Sequence, residues 1–211
     1  MTLKHELQNI ISGNGTVRHG ENIQTALNFL RRKKEAISGS QEKEYGKEQE
    51  TEVLIEYINL TNGWISDIDY SKFIGEGAEQ KVFEHADPRY VMKLNDYIFY
   101  RSWNDYFNNL LIHNYFFEDV AYHLIGFTKL ENSIHAVVIQ PYIKTTENTN
   151  LNLVRKLLEA NGFINKKNND YFHPELGIII EDLHDENVLT NEGVLQFIDT
   201  VIYLTDEFYA D

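Results

Sequence analysis

Hydrophobic positions at helical spacing characterise the first 64 residues. The pattern predicts helices over residues 2–12, 21–38 and 49–61, because apolar side chains three and four positions apart share one helix face. The segment 39–48 between the second and third helices is polar and contains two glycines, which favours a loop. We therefore predict that residues 1–64 form an N-terminal helical extension.

From residue 65 the pattern changes to short apolar runs separated by turn residues, which is typical of strands. It predicts strands at residues 73–75, 81–85, 90–94, 123–130, 134–139, 177–180, 187–190 and 194–199. Helical spacing returns at residues 101–117 and 151–161. Strands that alternate with isolated helices, without a repeating unit, predict an α+β fold.

The charge of the chain is strongly negative and unevenly placed. Its 211 residues include 19 Lys and Arg against 33 Asp and Glu, a net charge of -14. Residues 65–211 carry 11 basic and 24 acidic side chains, so nearly all of the imbalance lies there. Such a surface repels phosphate backbones and anionic lipids. We therefore expect neither nucleic acid nor membrane as a partner.

Several classes of protein are excluded by composition. The chain has no cysteine, which excludes a disulfide framework, a thiolate nucleophile and a cysteine-type zinc site. Its first residues lack the apolar core of a signal peptide, and no apolar run approaches the roughly 18 residues of a transmembrane helix. We therefore expect a cytoplasmic protein.

Two glycines and one lysine stand at positions that suit phosphate binding. Gly75 and Gly77 flank Glu76 in the turn between the first two predicted strands, where backbone amides can approach phosphate oxygens closely. Lys93 lies near the end of the third predicted strand, where it could present a point charge to a phosphate. Taken alone, both motifs also fit an ordinary hairpin turn and a solvated lysine.

A third motif is more specific. Asp182 and Asn187 stand five positions apart at the entrance to a predicted strand, and Asp199 ends the returning strand of the same hairpin. This arrangement can aim all three side chains into one cleft. Oxygen atoms of Asn187 and Asp199 suit Mg²⁺ held together with substrate phosphates. Asp182 would then be free to orient or deprotonate a hydroxyl group.

The three motifs, in this order, resemble the signature of protein kinases. Asp182-Leu183-His184 also resembles the Asp-Leu-His-x-x-Asn loop of aminoglycoside and choline kinases. More closely still, the chain is similar to the kinase-like domain of polyvalent proteins from bacterial mobile elements, over about residues 65–205. This last similarity is carried by Leu111–Phe117, Ala121–Phe127 and Gln140–Ile143.

The resemblance implies a reduced two-lobed protein-kinase-like fold with a truncated C-lobe. Residues 65–143 would form a β-rich, N-lobe-like region with the glycine loop and hinge, and residues 144–211 a reduced C-lobe with the catalytic loop. Residues 1–64 would stay outside it as the helical extension. ATP and Mg²⁺ are the implied cofactors, and the implied partners are the nucleotide and a protein substrate.

For the nucleotide, the resemblance implies five binding residues. Gly75 and Gly77 would lie over the phosphates, and Lys93 would contact the α- and β-phosphates. Gln140 and Tyr142 belong to the hinge between the lobes, where backbone groups would meet the adenine.

For the chemistry, the resemblance implies a catalytic set of Asp182, Asn187 and Lys93. Asp182 would be the catalytic carboxylate, and Asn187 and Asp199 would hold the metal ion. Positioning and charge neutralisation do most of the work in phosphoryl transfer, so these few groups could suffice.

The chain also departs from the kinase pattern at three places. Gln80 replaces the third glycine of the loop, and Asp199-Thr200-Val201 stands where Asp-Phe-Gly is usual. No glutamate occupies the helix position expected to pair with Lys93, where the chain has Ile112-His113-Asn114. Three functions therefore stay open: a protein kinase for Ser, Thr or Tyr, a small-molecule phosphotransferase, and a pseudokinase that acts as a nucleotide-binding or interaction module.

Overall fold

The α+β class predicted from the sequence is confirmed in the computed structural model of the protein. The structure describes residues 2–38, 46–77 and 80–210. Its α-helices are α1 Leu3–Ile11, α2 Glu21–Ser38, α3 Lys47–Thr61, α4 Trp103–Phe116, α5 Leu151–Ala160 and α6 Asp206–Tyr209. Short 3-10 turns lie at Tyr70–Lys72 and Glu118–Val120.

The strands form three antiparallel sheets. They are β1 Phe73–Glu76, β2 Gln80–Glu84, β3 Tyr90–Asn95, β4 His123–Leu130, β5 Ser133–Pro141, β6 Ile164–Lys167, β7 Asp170–His173, β8 Ile178–Glu181, β9 Val188–Asn191, β10 Val194–Phe197 and β11 Val201–Leu204. One sheet has the order β1-β2-β3-β5-β4, a second has β11-β8-β7-β6, and β9 pairs with β10 as a hairpin. Helix α4 connects β3 to β4, and β3 lies in the middle of the five-stranded sheet.

Each helix and strand predicted from the hydrophobic pattern is present, with ends shifted by a few residues. The predicted loop at 39–48 lies mostly outside the described residues, and α3 already begins at Lys47. The pattern missed four elements of four residues each, β6, β7, β11 and α6. Strand β6 holds a single apolar residue and β7 has two adjacent aromatic residues between polar ones, so neither shows the alternation typical of a strand.

Helix α4 lies at the centre of the molecule. Ten of its fourteen residues are buried, so it is covered on several sides rather than along one stripe. Leu111 belongs to a hydrophobic core shared with α2, α3 and the five-stranded sheet. The next residue, Ile112, belongs to a second core formed with α1, α5 and the strands after β6. The helix therefore joins the two halves of the fold.

The N-terminal helices pack into the body of the protein. Leu27 of α2 and Leu54 of α3 are fully buried in the same core as Leu111. The domain boundary after residue 64 stays a prediction. Residues before and after this position belong to the same hydrophobic core. In the described part of the chain, no helix has the length and apolarity needed to cross a membrane.

Candidate active site

The loop that connects β8 to β9 holds Asp182 in a left-handed backbone conformation. Its φ angle is +63°, which is uncommon for a residue with a side chain, although aspartate tolerates it better than most. The backbone N–H of Asp182 donates to Oδ1 of Asp170 at 3.2 Å, and its carbonyl accepts from His184 N at 2.9 Å. Strained backbone held by several partners is typical of functional loops.

The side chain of Asp182 is oriented by its neighbours in the same loop. Nδ2 of Asn187 donates both to the carbonyl oxygen of Asp182 and to its Oδ2, each at 2.8 Å. Nε2 of His184 lies 3.2 Å from the other carboxylate oxygen. The Asp182 side chain is still 56% exposed, so a substrate group can reach it. The loop therefore presents one fixed carboxylate to solvent.

Asp199 is tied to the same loop through the backbone. The N–H groups of Ile198 and Asp199 both donate to the carbonyl oxygen of Asn187, at 2.9 and 3.3 Å. The end of the β9–β10 hairpin is thereby fixed beside the loop that holds Asp182. The two residues predicted as metal ligands, Asn187 and Asp199, are thus brought together.

Lys93 reaches this cluster from the five-stranded sheet. It stands in β3 opposite Val82 of β2 and Val138 of β5, and it is 3% exposed. Its Nζ donates to the carbonyl oxygen of Ile198 at 3.1 Å and lies 3.7 Å from Oδ2 of Asp199. Burial lowers the pKa of the Lys93 ammonium group, and the Asp199 carboxylate opposes that shift.

The glycine loop also touches Asp199. The side chain of Gln80, at the start of β2, donates to Oδ2 of Asp199. Gly77 N donates to the carbonyl oxygen of Gln80 at 3.0 Å, and the two residues between them lie outside the described part of the chain. A Cβ added at Gly75 or Gly77 would meet no described atom within 4 Å. Nothing in the described part of the chain covers the face beside these two glycines.

The two residues predicted for the hinge, Gln140 and Tyr142, differ in which of their groups are accessible. The Gln140 side chain is buried and donates to the carbonyl oxygen of Val120 at 2.7 Å, so it faces the protein interior. Tyr142 is 57% exposed, and its backbone N–H is taken by the carbonyl oxygen of Arg89 at 2.8 Å. Their roles in adenine binding stay predictions.

Sequence reasoning missed two residues of this region. Asp170 supports the backbone of Asp182 from β7, a strand that the hydrophobic pattern did not predict. Tyr122 lies under Lys93, with Nζ 5.4 Å from its ring centroid. Tyr122 belongs to one of the stretches that carry the kinase resemblance, but nothing in its local sequence indicates contact with a lysine of another strand.

The side chains of this site fit Mg²⁺, which keeps water and substrate phosphates among its ligands, better than a metal ion that is coordinated by protein atoms alone. No group of three or more His, Asp or Glu side chains within residues 2–38, 46–77 and 80–210 could hold a metal ion. Mg²⁺ is usually held by one or two carboxylates together with substrate phosphates and water. Because Nδ2 of Asn187 donates to Asp182, the amide oxygen of Asn187 is the side-chain atom that could serve as a metal ligand. Asn187 and Asp199 would hold the ion.

The described contacts connect all the central site residues. Asp182 is bonded to Asn187, Asn187 to Asp199, and Asp199 is paired with Lys93. Lys93 comes from a strand of the five-stranded sheet, whereas the other three residues lie far later in the chain, in the two loops on either side of the β9–β10 hairpin. This set offers a cation that could bind phosphate, two side-chain oxygen atoms that could bind a metal ion, and an oriented carboxylate, which are the groups used in phosphoryl transfer.

Comparison with known proteins agrees with this chemistry. A family model described as "Serine/Threonine/Tyrosine Kinase found in polyvalent proteins" matches residues 47–206. The match includes α3 and begins earlier than the resemblance read from the motifs, near residue 65. No curated protein and no solved structure matches the chain. Because the matched region covers well over half of its length, the chain belongs to the family of serine/threonine/tyrosine kinases found in polyvalent proteins.

Proposed function

We propose that this protein transfers the γ-phosphoryl group of ATP, in the presence of Mg²⁺, to a serine, threonine or tyrosine hydroxyl of another protein. The observation that carries the proposal is the chain of contacts from Asp182 through Asn187 and Asp199 to Lys93. We also propose that the protein acts in the context that the resemblance implies, as part of the polyvalent proteins of bacterial mobile elements.

In the proposed reaction the acceptor oxygen forms a bond to the γ-phosphorus, and the bond from that phosphorus to the β,γ-bridging oxygen breaks. ADP leaves, and the hydroxyl proton passes to the carboxylate of Asp182. Lys93 binds the phosphates as a point charge. Mg²⁺ held by Asn187 and Asp199 would neutralise charge on the phosphate oxygens. The exposure of Asp182 leaves room for an acceptor carried on a protein surface.

A second candidate is a pseudokinase that binds a nucleotide or a partner protein without transfer. One contact favours it: Gln80 donates to the carboxylate oxygen of Asp199 that also faces Lys93, so this proposed metal ligand is already engaged. In addition, the helix residues 112–114 provide no carboxylate for Lys93.

The first experiment is thermal unfolding with ATP, with and without Mg²⁺, of wild type, Asp199→Asn and the control Asp206→Asn. A ligand at a hundredfold its Kd stabilises the folded state by about 2.7 kcal/mol, which raises Tm by roughly 5–10 °C for a chain of this size. We expect a Mg²⁺-dependent rise in wild type and the control, and its loss in Asp199→Asn. No rise in wild type at any ATP concentration would contradict the proposal.

The second experiment separates the two candidates. Transfer from γ-labelled ATP to a degenerate Ser/Thr/Tyr peptide mixture is measured for wild type and Asp182→Asn. We expect transfer in wild type, and its loss by two orders of magnitude or more in the variant with nucleotide binding intact. Nucleotide binding without any transfer by wild type would favour the pseudokinase. Labelling of aminoglycosides or choline instead of peptides would favour a small-molecule acceptor.

A further inference from the structure

Among the residues that the structure describes, Lys93 has no glutamate partner of the kind that the kinase mechanism ordinarily provides. In kinases a glutamate of the helix after the third strand pairs with this lysine, and the pair must be formed for activity. The corresponding helix here is α4, and its residues 112–114 are Ile, His and Asn. The carboxylate that faces Lys93 belongs to Asp199, at 3.7 Å, and our proposed function assigns that group to the metal ion.

Tyr122 occupies the space on another side of the Lys93 ammonium group. Nζ of Lys93 lies 5.4 Å from the centroid of the Tyr122 ring, which is within the range of a cation–π interaction. Both residues are 3% exposed, so solvent screens the attraction little. The Tyr122 hydroxyl donates to the carbonyl oxygen of Ile198 at 2.8 Å, and Lys93 donates to that same oxygen at 3.1 Å.

Two consecutive residues of α4 fix Tyr122 in this place. Oδ1 of Asn114 accepts from the backbone N–H of Tyr122, and Nδ2 of Asn114 donates to its carbonyl oxygen, each at 2.7 Å. The ring of His113 lies 4.5 Å from the Tyr122 ring, and Nδ1 of His113 is 2.8 Å from the Thr200 hydroxyl. Burial lowers the pKa of His113 to about 3, so a neutral imidazole supports the tyrosine and adds no charge against Lys93.

We propose that Tyr122 is the positioning residue of Lys93 and takes the place of the missing glutamate. This inference rests on the proposed function. An aromatic ring attracts the ammonium group through its quadrupole and leaves its charge available, whereas a carboxylate would neutralise it. When Asp199 turns to a metal ion, Lys93 stays over the ring and faces the nucleotide phosphates. The hydroxyl of Tyr122 holds Ile198, and with it the backbone that leads into Asp199.

The test is a double-mutant cycle on the full chain, with the Kd for ATP and Mg²⁺ as the measured quantity. The variants are Tyr122→Leu, Lys93→Met and the double variant, with Tyr106→Leu as the control for loss of a buried ring in α4. We expect Tyr122→Leu to weaken ATP binding roughly tenfold, and to change it severalfold less when Lys93 is already Met, where only the lost hydrogen bond to Ile198 remains. Tyr106→Leu should leave the Kd unchanged.

A second measurement keeps the shape of the side chain and changes its electrostatics. Phenylalanine and its mono-, di- and trifluorinated forms are placed at position 122 by nonsense suppression. Fluorine withdraws negative charge from the ring face, so ATP affinity should fall stepwise with each fluorine while Lys93 is present, and stay constant in Lys93→Met. A residue that only fills space would give no such series. This measurement also decides the question if Tyr122→Leu fails to fold.

The outcomes separate this inference from the function on which it rests. If wild type binds no ATP, both are overturned. If wild type binds ATP and Lys93→Met weakens binding, but Tyr122→Leu adds its full effect in the Lys93→Met background, the positioning role is overturned and the proposed function stands. The same holds if fluorination of the ring at position 122 leaves the Kd unchanged.

Discussion

The side-chain amide of Asn187 donates two hydrogen bonds of 2.8 Å to Asp182, one to the backbone carbonyl and one to the carboxylate. Asn187 thereby fixes the left-handed backbone of Asp182 and the direction of its side chain at once. Its own carbonyl accepts from the N–H groups of Ile198 and Asp199. One asparagine thus connects the proposed catalytic carboxylate with a proposed metal ligand.

We expect Asn187→Ala to reduce phosphoryl transfer at least a hundredfold, because the variant loses one proposed metal ligand and the orientation of Asp182 together. The rate is measured with γ-labelled ATP under saturating Mg²⁺. Asn191→Ala is the matched control, because Asn191 lies at the turn end of the same hairpin. Its side-chain amide donates to the carbonyl oxygen of Lys144. Equal activity of the two variants would contradict the assigned role of Asn187.

Gln80→Ala removes the side chain that donates to Asp199. Because this contact must break before Asp199 can bind a metal ion, we expect the variant to bind ATP with Mg²⁺ severalfold more tightly than wild type, and ATP alone with unchanged affinity. Titration calorimetry at several Mg²⁺ concentrations measures both affinities. Gln196→Ala in β10 should leave both unchanged, and weaker Mg²⁺-dependent binding in Gln80→Ala would show that the glutamine helps to form the site.

Glu50→Gln tests how much the N-terminal helix α3 stabilises α4 and, through it, the folded state. The buried carboxylate of Glu50 in α3 accepts from the backbone N–H groups of Trp103 and Asn104 at 2.7 and 3.3 Å, and so caps α4. The glutamine leaves some of these buried groups unpaired, and we expect the free energy of unfolding to fall by about 1–3 kcal/mol. Urea unfolding measures it. Glu48→Gln, at an exposed position of α3, should change it by less than about 0.5 kcal/mol.

Titration of His113 makes the free energy of unfolding depend on pH between about 3 and 6.5. Its pKa is lowered by burial to about 3, against 6.5 when unfolded. Between these values the unfolded chain binds a proton that the folded chain does not bind. The free energy of unfolding should therefore decrease as the pH falls below 6.5, by up to about 1.4 kcal/mol per pH unit from this residue.

Urea unfolding at pH 7, 5.5 and 4.5 measures this dependence. Because the carboxylates titrate in every variant, the quantity to compare is the slope against pH. We expect a flatter slope for His113→Gln than for wild type, and an unchanged slope for His5→Gln, whose side chain is exposed. Identical slopes in His113→Gln and wild type would mean that His113 binds its proton equally in the folded and unfolded states, which contradicts the lowered pKa.

Much of the site was predictable because its spacing is local. Asp182 and Asn187 are five positions apart in one loop, and Asp199 ends the hairpin that follows them, so backbone geometry alone brings them together. The glutamine at position 80 was predicted to alter the glycine loop, but its contact with Asp199 was not, since 119 positions separate the two residues. Likewise, nothing near Asp170 in the sequence indicates that it supports Asp182.

By itself the sequence determined the helices, most strands, the α+β class and the order of the kinase motifs. These depend on periodicity and on turn residues, which act over a few neighbouring positions. Tertiary structure alone decided that Lys93 lies over Tyr122 and beside Ile198 and Asp199. Those contacts need β3, the segment just before β4 and the end of the β9–β10 hairpin to meet around α4. A buried ammonium group must be paired with polar or charged groups. Which groups lie near it depends on how distant parts of the chain pack together, and local sequence does not specify this.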